Sequence, residues 1–338
     1  MFWFDLDNSP HVLIFRPIFD ELKNRDIDYL ITARDYAKTK ELLELWDIKH
    51  TLIGKHGGKN KIGKVLNLFQ RSLELKRFIK GKNIKTAISH GSRTQILTAK
   101  YLGLKTLVML DYEYTENRIF NYLSDYILFP AIIPDTRLKK AGFNLKKIIR
   151  YNGIKEEIYL QYFNPDPEFR KKISVDENEI LITIRPPALS SNYHNEKSEQ
   201  FLIESIKHFN TFENVQILIT SRTSSDRNHI LKNVPANKKF RFLDEPVDGL
   251  QLLYSSDITV SGGGTMNRES ALLGTDTYSI FTGKKPFIDE YLFEKKMLNF
   301  IDKVEDIYNI EVKRNHKGVF KPINKFLSRD IVDIFINV

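Results

Sequence analysis

Short apolar, strand-forming runs alternate with helix-length segments along almost the whole of this chain, and that rhythm restricts the fold more than any other feature. The runs are FWFDLD, DYLITA, KTAISH, KTLVML and DYILFP, then ILITIR, VQILIT, FRFL, DITVS and TYSIF. Such alternation predicts an α/β protein whose parallel sheets are covered by helices. The rhythm lapses once, across YLQYFNPDPEFRKKISVDENE (159–179), where two prolines, several charges and no clear strand read as a linker or its flanking helix. Two doubly wound domains are therefore expected, facing a central cleft. The first covers 1–158 and the second 159–320. A terminal helix, 321–338, has Ile323, Phe326, Leu327, Ile331 and Ile334 at three-to-four spacing. With 338 residues, 41% of them hydrophobic, the chain can fill two cores. Ligands of such sheets bind beyond the carboxyl ends of the strands, so the residues after each strand are the ones to inspect.

No run of about 18 apolar residues is present, and charges fall within the first ten positions, which fits neither a membrane span nor a signal peptide. A soluble, cytoplasmic protein is expected. Cysteine is absent and the eight histidines are scattered, so neither disulfides, thiolate chemistry nor a metal site is expected. The Asp-any-Asp spacing at 5–7 does not make a convincing metal motif. No cofactor is called for.

The net charge of +9 is concentrated in one place. Residues 55–85 hold ten Lys and Arg against the single acid Glu74, so the rest of the chain is balanced. Ile62, Leu66, Phe69 and Leu73 stand at helical spacing among these lysines. The ordinary expectation is an amphipathic helix with its apolar stripe on the core and its lysines solvated. Docking on an anionic membrane surface, at the inner face of the membrane, is the alternative. Nucleic acid ranks last, because no nucleic-acid motif accompanies the charge.

The stretch DITVSGGGTMNRESALLG (257–274) reads as strand, glycine turn and helix. A helix start offers free N–H groups and partial positive charge to a diphosphate, and glycines let a ligand approach the main chain. The candidate nucleotide site is Ser261, Gly262, Gly263, Gly264 and Thr265, with Glu269 placed to accept the hydroxyls of a ribose. A plain structural turn, with Glu269 as a helix-start acid, is the alternative. A nicotinamide fingerprint fits poorly, since Asn267 replaces the third glycine and Thr282 stands where the ribose acid belongs. Other strand ends add Arg185, stiffened by Pro186 and Pro187, then Arg222 and Asp244 with Glu245. Arginines suit diphosphate oxygens, and the backbone of 242–246 is the candidate base contact.

SGGGTMNRESALLGTDTYSIF, together with SHGSRTQILTAKYLGLKTLVMLDYEYT and DLDNSPHVLIFRP, resembles the family catalogued as domain of unknown function 354, over nearly the whole chain. That family is in turn similar to GT-B glycosyltransferases and to UDP-N-acetylglucosamine 2-epimerase. The resemblance implies a GT-B-like fold of two Rossmann-like domains, a nucleotide-sugar bound mainly by the second, and a last helix that crosses back to the first. It places diphosphate contacts on Ser261 to Thr265 and the ribose contact on Glu269. It does not choose the reaction.

In the first half, strand ends supply Asp7, Asn8 and His11, then His90, Gly91, Ser92 and Arg93, then Asp111, Glu113 and Glu116. Inverting sugar transfer needs a base for the acceptor hydroxyl, and Asp7, His11 and Glu113 are the candidates. The epimerase resemblance calls for an acid after HG, where Ser92 stands, and a histidine in the loop after the first strand of the second domain, where TIRPPALSS has none. Glu113 does match the epimerase-like glutamate. A glycosyltransferase using a UDP-linked sugar and an acceptor of cell-envelope or lipid-linked type is the leading expectation. An epimerase-like isomerase or sugar-nucleotide hydrolase is the second, and a noncatalytic module binding anionic surfaces or nucleic acid the third.

Overall fold

Among the residues that the computed structural model describes (1–36, 38–55, 61–187, 196–221, 224–234, 239–245, 247–317 and 322–338), the apolar runs form strands. They are β1 (Phe2–Leu6), β2 (Tyr29–Asp35), β3 (Thr51–Lys55), β4 (Thr86–Ser89), β5 (Lys105–Met109), β6 (Tyr126–Pro130), β7 (Ile148–Tyr151), β8 (Ile180–Arg185), β9 (Val215–Ile219), β10 (Phe240–Phe242), β11 (Ile258–Ser261), β12 (Asp276–Ser279) and β13 (Asn299–Phe300). Three of these, β3, β7 and β13, are not apparent in the sequence. β3 carries Gly54 and Lys55, β7 is only four residues long with Arg150 inside it, and β13 has two residues.

The strands make two parallel sheets in two compact units. Met1–Tyr159 and Pro322–Val338 contain a seven-stranded sheet, β3-β2-β1-β4-β5-β6-β7. Leu160–Lys321 contains a six-stranded sheet, β10-β9-β8-β11-β12-β13. Helices cover parallel strands on both faces, so their residues are buried irrespective of alternation; all five residues of β9 are. In each sheet the chain starts in the middle, runs to one edge and then resumes on the other side. The reversal lies between β1 and β4 in the first unit and between β8 and β11 in the second.

The segment read as a linker is part of the second unit's core. Phe169, Ile173 and Val175 pack with Leu181, Leu218 and Leu252, and Arg170 bonds Ser255 O and the Asp257 carboxylate, the latter at 2.6 Å. The terminal helix, Leu327–Asn337, packs on the first unit: Leu327, Ile331, Val332 and Phe335 are buried, and Phe335 lies against Phe2 and Phe4.

The basic segment forms the helix Lys61–Ile79, and its apolar stripe does not face the core as the ordinary expectation had it. Leu66, Phe69 and Leu73 are 64%, 60% and 54% exposed. Arg71, Leu75 and Ile79 are buried instead. The cause is Arg71, which is drawn inward by Asp5. The side chain of Ile62 lies outside the described residues.

Candidate functional site

At the β8/β11 reversal, Arg185 closes β8 in register with Ser261, the last residue of β11. The chain then turns through Gly262 and Gly263 into the helix Gly264–Leu272. Gly262 donates to Arg185 O at 3.2 Å, and a Cβ on it would lie 2.7 Å from Pro187 Cα. A side chain on Gly262 would therefore collide with the Pro187 backbone, a packing reason for glycine here that stands beside the expected one, room for a ligand. The Ser261 hydroxyl is also used within the turn: it is buried and accepts from Gly263 N at 3.0 Å, so it is not turned outward as a donor.

What the turn does present is backbone. Asn267 N donates to Gly263 O at 3.1 Å, and among the described residues the N–H groups of Gly264, Thr265 and Met266 have no i−4 acceptor. Gly263, Gly264, Thr265 and Glu269 are partly exposed, with Glu269 in the second helical turn. Arg185 Nη1 lies 3.9 Å from Met266 Sδ, beside the same helix start. Asn267 and Arg268 face inward, where Asn267 donates to Ser279 Oγ at 2.9 Å and Arg268 pairs with Asp289 at 3.1 Å. Asp244 lies past β10, largely exposed and paired with Arg227. Arg222 and Pro246 lie outside the described residues.

The β1/β4 reversal gathers a cluster of ionisable groups. Asp5, in β1, is fully buried and accepts from Arg71 at 2.7 and 2.8 Å, from Ser92 Oγ at 2.6 Å and from Thr32 Oγ1 at 2.6 Å. Burial would raise its carboxyl, but the Arg71 charge and these donors outweigh burial and hold it below the usual carboxylate range. Asp7, just past the strand, is raised, first by burial and then by the negative charge of Asp5, against the opposing pull of Arg71 and Arg34.

His11 sits in the first turn of the helix Ser9–Asn24, which Asn8 caps by accepting from Ser9 N at 2.9 Å. Burial, then the nearby charges of His90 and Lys155, push His11 well below its ordinary value, so it is neutral at pH 7. Its Nδ1 accepts from Asp7 N at 3.2 Å. The proton of the neutral ring is then on Nε2, which leaves that nitrogen as a donor. The His11 and His90 rings are 5.1 Å apart. His90 Nε2 is 3.3 Å from Asp111, whose other oxygen is 2.6 Å from Lys155 Nζ. Glu113, two residues beyond Asp111, is fully buried, as is Glu156 beside Lys155.

Sequence reasoning gathered Asp7, His11 and Glu113 but missed Arg71, Lys155 and Glu156. Lys155 and Glu156 follow β7, a strand not recognised. Arg71 is one of ten basic residues in 55–85, and its spacing alone does not set it apart from the others. One signal was available for it: an acid inside the apolar run FWFDL demands a buried partner.

Comparison with known proteins gives the setting. The chain is 29% identical to an uncharacterized protein of Methanocaldococcus jannaschii, over 91% of this chain and 89% of that one. Its fold is similar to UDP-GlcNAc 2-epimerase from Neisseria meningitidis bound to UDP-GlcNAc, with TM-score 0.78, 15% identity and full coverage of both chains. It is similar also to the M. jannaschii UDP-GlcNAc 2-epimerase in complex with UDP-GlcNAc and UDP, with TM-score 0.75, 16% identity, and coverage of 100% of this chain and 99% of that one. At these identities the likeness is one of fold, a GT-B-like pair of parallel-sheet units. The family model described as protein of unknown function, DUF354, matches residues 1–337, and this chain belongs to that family.

Proposed function

We propose that this protein binds a nucleotide-diphospho-sugar, UDP-linked, and transfers the sugar to a hydroxyl acceptor. The observation that carries this reading is the convergence, at the β8/β11 reversal, of Arg185 and the N–H groups of Gly264, Thr265 and Met266, which have no acceptor among the described residues. Parallel sheets take their ligands at such a reversal, and a helix start with an arginine beside it suits a diphosphate. Glu269 accepts the ribose hydroxyls. As the acceptor oxygen attacks the anomeric carbon, the bond to the diphosphate oxygen breaks, and the helix start and Arg185 stabilise the charge that develops there. In the first unit, Asp7 takes the acceptor proton, helped by its raised carboxyl, and His11 donates from Nε2.

An isomerase reading is favoured by Glu113 and by the full-length likeness to UDP-GlcNAc 2-epimerases. Against it, Ser92 stands where the epimerase-like acid belongs, and the carboxylate it touches, Asp5, is locked by Arg71 and unsuited to exchanging protons.

Thermal unfolding with UDP, GDP, CDP and dTDP, for the parent and Glu269→Ala, tests donor binding. A nucleotide at 100 times its dissociation constant stabilises the parent by about 2.7 kcal/mol, and the variant is expected to lose most of that. No stabilisation by any of the four removes the reading. Incubation with UDP-GlcNAc in deuterium oxide then separates the reactions, because epimerisation at C2 breaks the C2–H bond. No deuterium at C2 is expected, and its appearance assigns the isomerase.

A further inference from the structure

We propose that the helix Lys61–Ile79 seats this protein on the surface of an anionic lipid bilayer. The helix has two faces. Arg71, Leu75 and Ile79 bind it to the first unit, with Arg71 donating to Asp5 and to Ile53 O at 2.8 Å. About half a turn around, at 3.6 residues per turn, Leu66, Phe69, Leu73, Arg77 and Lys80 follow one another at three-to-four spacing. All five are exposed. The adjoining helix, Arg93–Tyr101, contributes Lys100 and Tyr101, also exposed, with Lys76 Nζ 3.7 Å from the Tyr101 ring centroid.

The outward face thus carries large apolar side chains at one end and cations at the other, within a segment of ten basic residues and one acid. Charge decides the occupant. A second copy of this chain would bring an equally positive face, and like charges repel. A polyanionic nucleic acid would take the lysines but offers nothing to Leu66, Phe69 and Leu73. An anionic bilayer accepts both, its headgroups pairing with Arg77, Lys80 and Lys82 while the apolar side chains enter the acyl boundary. Among the described residues no helix is long and apolar enough to cross a membrane, so the contact is made on one surface. Arg71, on the opposite face of the same helix, joins it to Asp5 of the β1/β4 cluster.

Co-sedimentation with vesicles of phosphatidylcholine alone, and of phosphatidylcholine mixed with phosphatidylglycerol, tests this. The parent chain is expected to bind the mixed vesicles and not the neutral ones. Arg77→Glu with Lys80→Glu should weaken binding by more than about tenfold. Leu66→Ser with Leu73→Ser should leave only a residual attraction that raised salt removes. These positions are exposed, so an unchanged melting midpoint shows that the variants are folded. Failure of the parent to bind the mixed vesicles, or equal binding by both variants, overturns the proposal. So does a parent dimer that the Leu66→Ser, Leu73→Ser variant turns into a monomer, since the face would then belong to a second copy. Vesicle binding needs no nucleotide, so the donor reading and this one fail separately.

Discussion

Asp5 stands in a strand where Trp3, Phe4 and Leu6 are all shielded from water, and an ionised carboxylate there is tolerable only with a partner. Arg71 supplies it, reaching in past Gly54. That glycine has φ +77°, and a Cβ on it would lie 2.9 Å from Arg71 Cγ and Cδ. Removing one member of such a pair leaves the other buried and uncompensated, so Arg71→Met is expected to destabilise the first unit by about 3–5 kcal/mol. Arg71→Met with Asp5→Leu should recover most of the loss, as read by urea unfolding; equal loss in both chains would make Arg71 a packing residue only. Acid provides the matching sign. The folded carboxyl is depressed relative to about 3.9 in the unfolded chain, so its contribution is complete above that pH and disappears as pH falls through the folded value.

At the scale of elements, the strand, glycine turn and helix of residues 258–272 combine two requirements that the sequence shows as one run of glycines. Gly262 is constrained by backbone, since the atoms its Cβ would meet belong to Pro187. Gly264 is constrained only by the guanidinium of Arg268, 3.2 Å from its Cβ position and able to shift. Gly262→Ala is therefore expected to cost about 1–3 kcal/mol, as overpacking does, and to disturb the spacing of Arg185 from the helix start. Gly264→Ala should fold nearly as well as the parent. Melting midpoints of the two variants check this, and equal midpoints would mean that the Pro187 contact relaxes.

Over the whole molecule, the chain leaves the first unit at Tyr159 and returns to it at Pro322. The returning segment is fixed at several points. Ile323 N donates to Glu157 at 2.5 Å, Arg25 pairs with Asp333, and Leu327 packs where a side chain on Gly153 would stand. Burial of Leu327, Ile331, Val332 and Phe335 contributes about 1.5–3 kcal/mol each as an upper estimate. Deletion of 322–338 is thus expected to loosen the β1 region while leaving the sheet of the second unit protected. Hydrogen exchange resolved by segment reads the difference, and uniform loss of protection across both units would contradict it.

The amino-acid sequence by itself determined the elements that local pattern can encode. Alternating apolar runs specified parallel sheets, and DITVSGGGTMNRES specified a strand, a turn and a helix, because spacing along the chain is what these structures depend on. Strands too short or too polar to stand out, β3, β7 and β13, were decided by neighbours already in place. So was the orientation of Lys61–Ile79. Its periodicity shows two stripes, and only the tertiary fold, by setting Asp5 within reach of Arg71 across 66 residues of chain, turned Arg71, Leu75 and Ile79 inward and left Leu66, Phe69 and Leu73 in water. Lys155, Asp111, His90 and His11 meet for the same reason: the winding order of the sheet, not their separation in sequence, brings the strand ends together.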